Sequence, residues 1–239
     1  MKRKTVFTDT RLTKEAQRQL EVLGFYVVTL PPFSKLPPAV ASHTDMLLFK
    51  IDDVIFSHAD YVNEAPWVFD EIYDCGIKKI HLTDDEILPQ YPFDARLNII
   101  VFGKKVFCKT DTVSKSVLNY LHTHGYEIIN VRQGYPACTV LKLNGNAAIT
   151  SDRGMAEALL KHGINVTVIE KGGIELPPYE YGFIGGAGGV YDGKVYFTGS
   201  IDKHPSEDAI LKAIEKEGLI PVYLTRTLPF DLGGLLFTD

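Results

Sequence analysis

Glycine placement is the feature that most constrains the fold of this chain of 239 residues. Five segments with a helical spacing of apolar residues each end at a glycine, and a short apolar run follows each glycine. The five are Gly24, Gly76, Gly125, Gly163 and Gly218. A glycine in the left-handed conformation commonly ends a helix, and a short apolar run is typical of a buried strand. The pattern therefore predicts five helix–strand pairs, with helices at residues 13–23, 65–75, 113–124, 153–162 and 205–217.

A hairpin precedes most of these helices. The clearest turns are Asn144-Gly145 and Asp192-Gly193, because these residue types tolerate the positive φ of a tight hairpin turn. Further hairpins are predicted at residues 46–57 and 97–109. The remaining hairpin combines residues 235–237 with residues 5–7, from the two ends of the chain. The sequence thus predicts an α/β fold, a five-fold α/β-propeller of strand–strand–helix–strand units closed by pairing of the N- and C-terminal strands.

A flavodoxin-like sheet is the main alternative, since it also repeats helix, glycine and strand. Such a doubly wound sheet has one strand for each helix, and the hairpins disfavour it. Because the five units use the whole length, we expect residues 1–239 to form a single domain.

Composition excludes several classes of function. The chain has 30 acidic and 25 basic residues and a net charge of -5, which argues against nucleic-acid binding. Because no apolar stretch approaches about 18 residues, we expect no membrane span. Polar residues follow Val6 and Phe7 directly, so no signal peptide is predicted. The three cysteines have no CxxC spacing, which fits a reducing cytoplasm.

Three short segments resemble motifs of the pentein superfamily. They are Phe230-Asp231-Leu232-Gly233-Gly234-Leu235-Leu236-Phe237, His43-Thr44-Asp45-Met46-Leu47-Leu48-Phe49 and Tyr181-Gly182-Phe183-Ile184-Gly185-Gly186. That superfamily includes arginine deiminase, dimethylarginine hydrolase, agmatine deiminase and glycine amidinotransferase, as well as a non-catalytic ribosome anti-association factor. The resemblance implies the propeller fold over the whole chain. In the enzymes the Gly-Gly unit precedes the His-x-Asp unit, as it does here around a closed ring, and the nucleophilic cysteine lies in the next unit.

The segments that lead into the first strand of each unit contain the candidate site. They read SHTD, YPFD, YPAC, YGFI and LPFD, and they end at Asp45, Asp94, Cys138, Ile184 and Asp231. Equivalent positions of a five-fold ring surround one axis, so three carboxylates and a thiol are expected to converge there. Because the distance from each segment to its hairpin turn varies, Asn98 is an alternative to Asp94. Cys138 does not lie in the unit that the pentein enzymes use for their cysteine.

These residue types suit chemistry on a guanidinium group. Carboxylates bind its fork of donors, a thiolate attacks its central carbon, and a histidine moves the proton. The predicted roles are Cys138 as nucleophile, His43 as acid and base, and Arg132 as the partner of a substrate carboxylate. The predicted cation-binding carboxylates are Asp45, Asp94 and Asp231. Neighbouring aspartates raise the pKa of a thiol unless a bound cation offsets them.

Each of these residues also has a structural interpretation. Cys138 is then a small buried apolar side chain, Asp94 and Asp231 bind their own turns, and Arg132 is solvated. The glycines at 185–189 allow close packing and do not form a phosphate loop, since GxGxxG is absent. His43 with the aspartates is an alternative metal site, although no metal or cofactor is expected.

Two functions remain open at this stage. The first is a cysteine-dependent hydrolase or amidinotransferase that acts on a small guanidino or amidino compound, with a small cationic molecule as the expected partner. The alternative is a non-catalytic pentein-fold protein that binds a small ligand or a protein partner. The sequence does not indicate an oligomeric state.

Overall fold

The computed structural model describes residues 3–77 and 79–238. Its strands are β1 (Thr5–Asp9), β2 (Tyr26–Leu30), β3 (Leu48–Ile51), β4 (Val54–His58), β5 (Lys79–Thr83), β6 (Ile100–Phe102), β7 (Lys105–Cys108), β8 (Glu127–Asn130), β9 (Val140–Lys142), β10 (Ala147–Thr150), β11 (Asn165–Val168), β12 (Gly188–Tyr191), β13 (Lys194–Phe197), β14 (Ile220–Tyr223) and β15 (Leu236–Thr238). Its helices are α1 (Lys14–Val22), α2 (Thr44–Leu47), α3 (Ala59–Glu64), α4 (Pro66–Asp74), α5 (Lys115–Thr123), α6 (Pro136–Thr139), α7 (Arg153–Lys161) and α8 (Glu207–Lys216). Within the described residues, no helix has the length and apolar character needed to cross a membrane.

The strands form five sheets of three, and every sheet has the same pattern. Two strands pair antiparallel, the chain passes through a helix, and the third strand lies parallel to the second. In one such unit Phe49 of β3 lies opposite Phe56 of β4, and β5 runs parallel to β4. The predicted repeat of strand–strand–helix–strand units is confirmed.

The two chain ends meet in one of these sheets. Strand β15 pairs antiparallel with β1, which places Phe237 opposite Val6, and β2 runs parallel to β1. The predicted pairing of the terminal strands is therefore confirmed.

The five helices that the sequence predicted, α1, α4, α5, α7 and α8, end next to their glycines as expected. Each glycine after a helix has a φ between 69° and 90°, where a side chain is strained. The helices bury one face against the sheets: Leu20 of α1 and Ile214 of α8, for example, have no exposed surface. Burial of an aliphatic side chain of this size contributes about 1.5–3 kcal/mol. Helix α3 was not expected from the sequence.

The predicted strand start at Met46 is wrong, because this residue belongs to the short helix α2 and β3 begins at Leu48. Contacts from another unit hold this turn, since the N–H groups of Thr44 and Asp45 donate to the carbonyls of Leu232 and Gly233 at 3.2 and 3.1 Å. Tertiary contacts of this kind override the local apolar pattern. Helix α6 occupies the corresponding place before β9.

Candidate active site

We define the approach segments as the residues directly before the first strand of each unit. These segments contact one another at the centre of the site. The residue two positions before the strand is, in chain order, Met46, Asn98, Cys138, Gly186 and Gly234. The Asn98 amide nitrogen lies 3.7 Å from Met46 Sδ and 3.6 Å from Cys138 Sγ. The N–H of Gly186 donates to the carbonyl of Cys138 at 3.0 Å, and that of Gly234 to Gly186 at 2.9 Å. With the bond from Asp45 to Gly233, these contacts connect all five units in a circuit.

The circuit explains which side chains reach the thiol. Positions two residues before a strand are equivalent, so Asn98 is the counterpart of Cys138 in its unit. Asp45 lies one residue earlier than that position, and it reaches the thiol from the same short helix that carries Met46. Asn98 was considered from the sequence as an alternative to Asp94, and Asn98 is the residue that contacts Cys138.

A cavity of about 460 Å³ includes Cys138, His43 and Asp231 in its lining. Much of the remaining wall is aromatic and comprises Tyr91, Tyr135, Tyr179, Tyr181 and Phe183. Asp45 lies in the lining of a second cavity, of about 500 Å³, together with Gly185 and Gly234. The contact between Cys138 and Asp45 therefore joins side chains that belong to two cavities.

The Cys138 thiol is buried and donates a hydrogen bond to Asp45 Oδ2, with 2.6 Å between the sulfur and the oxygen. Burial raises the pKa of this thiol well above its ordinary value, and the charges of Asp45 and Asp231 raise it further. In the absence of a cation the thiol is therefore held protonated, with its hydrogen bond directed at the Asp45 carboxyl. A bound cation would reverse this electrostatic effect.

The His43 ring is fully buried beside Asp231, with 3.9 Å between Nδ1 and Asp231 Oδ1. Neither ring nitrogen has a hydrogen-bond partner among the residues that the structure describes. Burial, with a smaller contribution from the positive charge of Arg11, lowers the pKa of His43 to about 3. The imidazole is thus neutral near pH 7 and has an unused acceptor nitrogen, which suits a group that takes up and returns a proton.

The carboxyl groups of Asp45 and Asp231 differ in how the protein supports them. Asp231 accepts hydrogen bonds from the N–H groups of Phe183 at 2.8 Å and Gly233 at 3.1 Å, and its pKa rises only to about 6 because these bonds oppose the effect of burial. Within the described part of the chain, Asp45 Oδ1 has no hydrogen-bond partner, and burial raises the pKa of Asp45 to about 8, although the Cys138 thiol opposes this shift. Asp231 is accordingly the carboxylate that ionises more readily.

Two other residues singled out from the sequence lie elsewhere. Asp94 is buried and accepts a hydrogen bond from the Tyr135 hydroxyl at 2.5 Å, and burial raises its pKa. It is not part of the cavity lining, although Tyr135 is. Arg132 is exposed and is also absent from that lining. Cys138, His43, Asp45 and Asp231 are the predicted residues that the structure brings together.

Sequence reasoning did not select two residues that shape this site: Tyr135 connects the cavity wall to Asp94, and Glu180 lies in the lining. Gly186, one of the glycines expected to allow close packing, packs against Asp231. A Cβ atom at Gly186 would overlap Asp231 Oδ1, so only glycine fits. The signal for Tyr135 was present, because the tyrosine of YPAC recurs in YPFD and YGFI. Glu180 lies in a long irregular segment whose position no pattern predicts.

The site could hold a cation of either of two kinds. His43, Cys138 and Asp231 each offer a ligand atom, and these atoms lie within 4.8 Å of one another. Imidazole, thiolate and carboxylate are the ligands that Zn²⁺ prefers. A guanidinium group is the other candidate, since it is planar and pairs with carboxylates through its N–H groups.

Comparison with solved structures identifies the fold. An amidinotransferase from Microseira wollei, in the saxitoxin biosynthetic pathway, has a TM-score of 0.57 and 13% identity over 94% of this chain and 88% of that chain. DDAH from Pseudomonas aeruginosa has a TM-score of 0.53 and 11% identity over 96% and 93%. A C. jejuni agmatine deiminase has a TM-score of 0.52 and 10% identity over 93% and 75%. The resemblance to the pentein superfamily is thus confirmed at the level of the fold.

Sequence comparison adds a family but no activity. No curated protein matches the chain. One family model, described as "Family of unknown function (DUF6873)", matches residues 7–236. Because this match covers nearly the whole length, the chain belongs to the DUF6873 family, and it is a divergent protein with the pentein fold.

Proposed function

We propose that this protein is a cysteine-dependent enzyme that modifies the guanidino or amidino group of a small cationic compound, as a hydrolase or an amidinotransferase. The observation that carries the proposal is the meeting of Cys138, His43 and Asp231, whose reactive atoms lie within 4.8 Å of one another beside a cavity. A nucleophile, a proton carrier and a carboxylate are the groups that such a reaction requires.

Charge explains why the ligand is a cation. Asp231 and the thiol are buried, Asp45 is half-buried with its Oδ1 shielded from solvent, and the neighbouring His43 is neutral near pH 7. Two carboxylates so poorly solvated are costly without a cation, and the pKa of each is raised. A guanidinium group next to Asp231 supplies the missing positive charge and hydrogen-bond donors.

The same cation activates the nucleophile. Asp45 Oδ2 already accepts the hydrogen bond of the Cys138 thiol, and a bound cation lowers the pKa of this carboxyl from about 8, so that it ionises near neutral pH and can take the thiol proton. The bound cation lowers the pKa of the thiol, because it stabilises the thiolate. In this mechanism Asp45 acts on the thiol and Asp231 on the substrate, whereas the sequence suggested that both, together with Asp94, bind the cation.

The reaction balances with these groups. Sγ bonds to the central carbon of the guanidinium as the thiol proton moves to Asp45. The bond from that carbon to the leaving nitrogen then breaks, and the nitrogen gains the same proton through His43, so that a cationic thiouronium remains on Cys138. A water molecule or an amine next loses a proton to His43 as it bonds to the carbon, sulfur leaves with the electrons of the S–C bond, and His43 returns its proton to sulfur, which restores the thiol. When water is the acceptor, the second proton of its oxygen is released to solvent as the carbonyl forms. Water completes a hydrolase reaction and an amine completes amidino transfer.

A panel of guanidino compounds tests the proposal. Arginine, agmatine, methylarginine and creatine-like compounds are incubated with the protein, and release of ammonia or amine is measured. We expect turnover of at least one compound, loss of turnover in Cys138→Ala, and retention in the matched variant Cys75→Ala, whose cysteine ends helix α4. Turnover that survives Cys138→Ala and iodoacetamide refutes the cysteine mechanism.

The buried, protonated state of the thiol favours one second candidate, a non-catalytic protein that binds a cationic ligand. It predicts that a member of the panel raises the melting temperature of the protein while no compound is converted. Thermal stabilisation without turnover would therefore replace the enzyme with this binding protein.

A further inference from the structure

The cavity wall beyond the reactive groups consists of aromatic pairs. Tyr91 and Tyr135 lie with their ring centroids 5.0 Å apart, and Tyr181 and Phe183 lie 6.4 Å apart in an edge-to-face arrangement. Both pairs belong to the lining of the 460 Å³ cavity, as does Tyr179. A cavity of this volume accommodates a small ligand. A tail that extends from a guanidino group bound at Asp231 would therefore meet aromatic rings.

Several polar groups of this wall are already engaged within the protein. The Tyr135 hydroxyl donates to Asp94, and the Tyr91 hydroxyl accepts from the N–H of Gly134 at 3.0 Å. The Gln133 amide accepts from the N–H of Tyr135 at 3.0 Å and donates to Asp152 at 2.7 Å. The two tyrosines consequently offer ring faces and edges to a ligand, and Gln133 has little capacity left to bind a carboxylate.

The charges of the lining are all negative. Glu180 is exposed within it and Asp231 is buried, while no lysine or arginine lines the cavity in the described part of the chain. Lys171 Nζ lies 5.5 Å from the centroid of the Tyr181 ring, and Lys171 is not part of the lining. Arg132, which the sequence suggested as the partner of a substrate carboxylate, is likewise outside.

We infer that the substrate is a guanidino compound whose tail carries a second cation and no carboxylate. This inference rests on the proposed function and deepens it. The guanidinium group lies by Asp231, an aliphatic spacer passes between the aromatic rings, and an ammonium group at the other end meets ring faces and the carboxylate of Glu180. Aromatic faces attract cations, whereas a carboxylate would lie between aromatic rings and Glu180 without a positive partner.

Binding to a variant that cannot react tests the inference separately from catalysis. Calorimetric titration of Cys138→Ser uses agmatine, butylguanidine and L-arginine, which share a guanidino group and an aliphatic spacer and differ at the far end. We expect agmatine to bind about tenfold or more tightly than L-arginine, with butylguanidine between them. If L-arginine binds as tightly as agmatine, or more tightly than butylguanidine, the inference is overturned while the proposed function stands. If none of the three binds, the cation site itself is refuted.

A matched pair of variants locates the second cation. Glu180→Gln, in the Cys138→Ser background, is expected to weaken agmatine about threefold to tenfold and to leave butylguanidine unchanged. Glu175→Gln is the control, because Glu175 is exposed in the same segment and does not line the cavity. Equal losses for agmatine and butylguanidine, or an unchanged affinity of Glu180→Gln for agmatine, would contradict the position of the ammonium group.

Discussion

Replacement of Asp45 by asparagine is expected to stabilise the protein while it removes activity. Asp45 is half-buried, its shielded Oδ1 has no hydrogen-bond partner among the described residues, and Asp231 adds a second negative charge nearby. Asparagine keeps the shape of the side chain and an oxygen that can accept from the Cys138 thiol, and it removes the charge. The thiol then lacks an acceptor for its proton, so catalysis by the proposed route stops. Functional sites often carry such a cost in stability.

The magnitude follows from the pKa of Asp45, which burial raises from 3.8 to about 8. Between these values the unfolded carboxyl is ionised and the folded one keeps its proton, so the free energy of unfolding falls as the pH rises through this window. Below about pH 4 both states are protonated and no penalty exists. At about 1.4 kcal/mol for each pKa unit, the penalty is on the order of 5 kcal/mol in full, and it grows by about 4 kcal/mol between about pH 5 and about pH 8.

Urea unfolding followed by circular dichroism measures this effect. We expect the advantage of Asp45→Asn over the wild-type protein to increase between about pH 5 and about pH 8. The control is Asp70→Asn, which removes the same charge from an exposed position on α4 and should show no such increase. An Asp45→Asn protein that is no more stable than wild type at about pH 8, or an advantage independent of pH, would refute the electrostatic description of the site.

Three further variants test the site at separate points. Gly186→Ala should lose activity, and its free energy of unfolding in urea should fall by about 1–3 kcal/mol, because the new Cβ overlaps Asp231. Unchanged stability would show that the contact is not tight. Tyr135→Phe should cost about 1–3 kcal/mol in the same unfolding assay, since buried Asp94 loses its donor, and a neutral result would place that carboxylate in solvent. Arg132→Ala should leave KM unchanged in steady-state kinetics, because Arg132 lies outside the cavity lining, and a large rise would restore its predicted role.

The architecture could be predicted because local chemistry determines it. Gly24 and Gly218 end helices through positive φ, and Asp192-Gly193 forms a hairpin turn, each within a few residues of sequence. The pairing of β1 with β15 could be predicted because the fifth unit lacked a hairpin of its own and each chain end offered one strand. Lengths were less accurate, as β6 begins at Ile100 and not at residue 97, where contacts with other units determine the backbone.

The site was predictable only in part, because it depends on register between units. Residue spacing suggested that Asp94 and Cys138 are equivalent, whereas the positions two residues before each strand make Asn98 the counterpart of Cys138. A shift of a few residues moves a carboxylate away from the thiol and brings in an amide. The separation of Asp45 and Asp231 into different cavities is likewise a three-dimensional property that no local pattern carries.

The most direct test of the central claim is mass spectrometry of protein that is quenched in acid while it turns over a guanidino compound. The mechanism predicts one covalent addition, located by peptide mapping on the peptide that contains Cys138, and its absence from Cys138→Ala. The other two free cysteines, Cys75 and Cys108, serve as internal controls and should remain unmodified. Turnover without an adduct at Cys138, or an adduct on Cys75 or Cys108 instead, would contradict the assignment of Cys138 as the nucleophile.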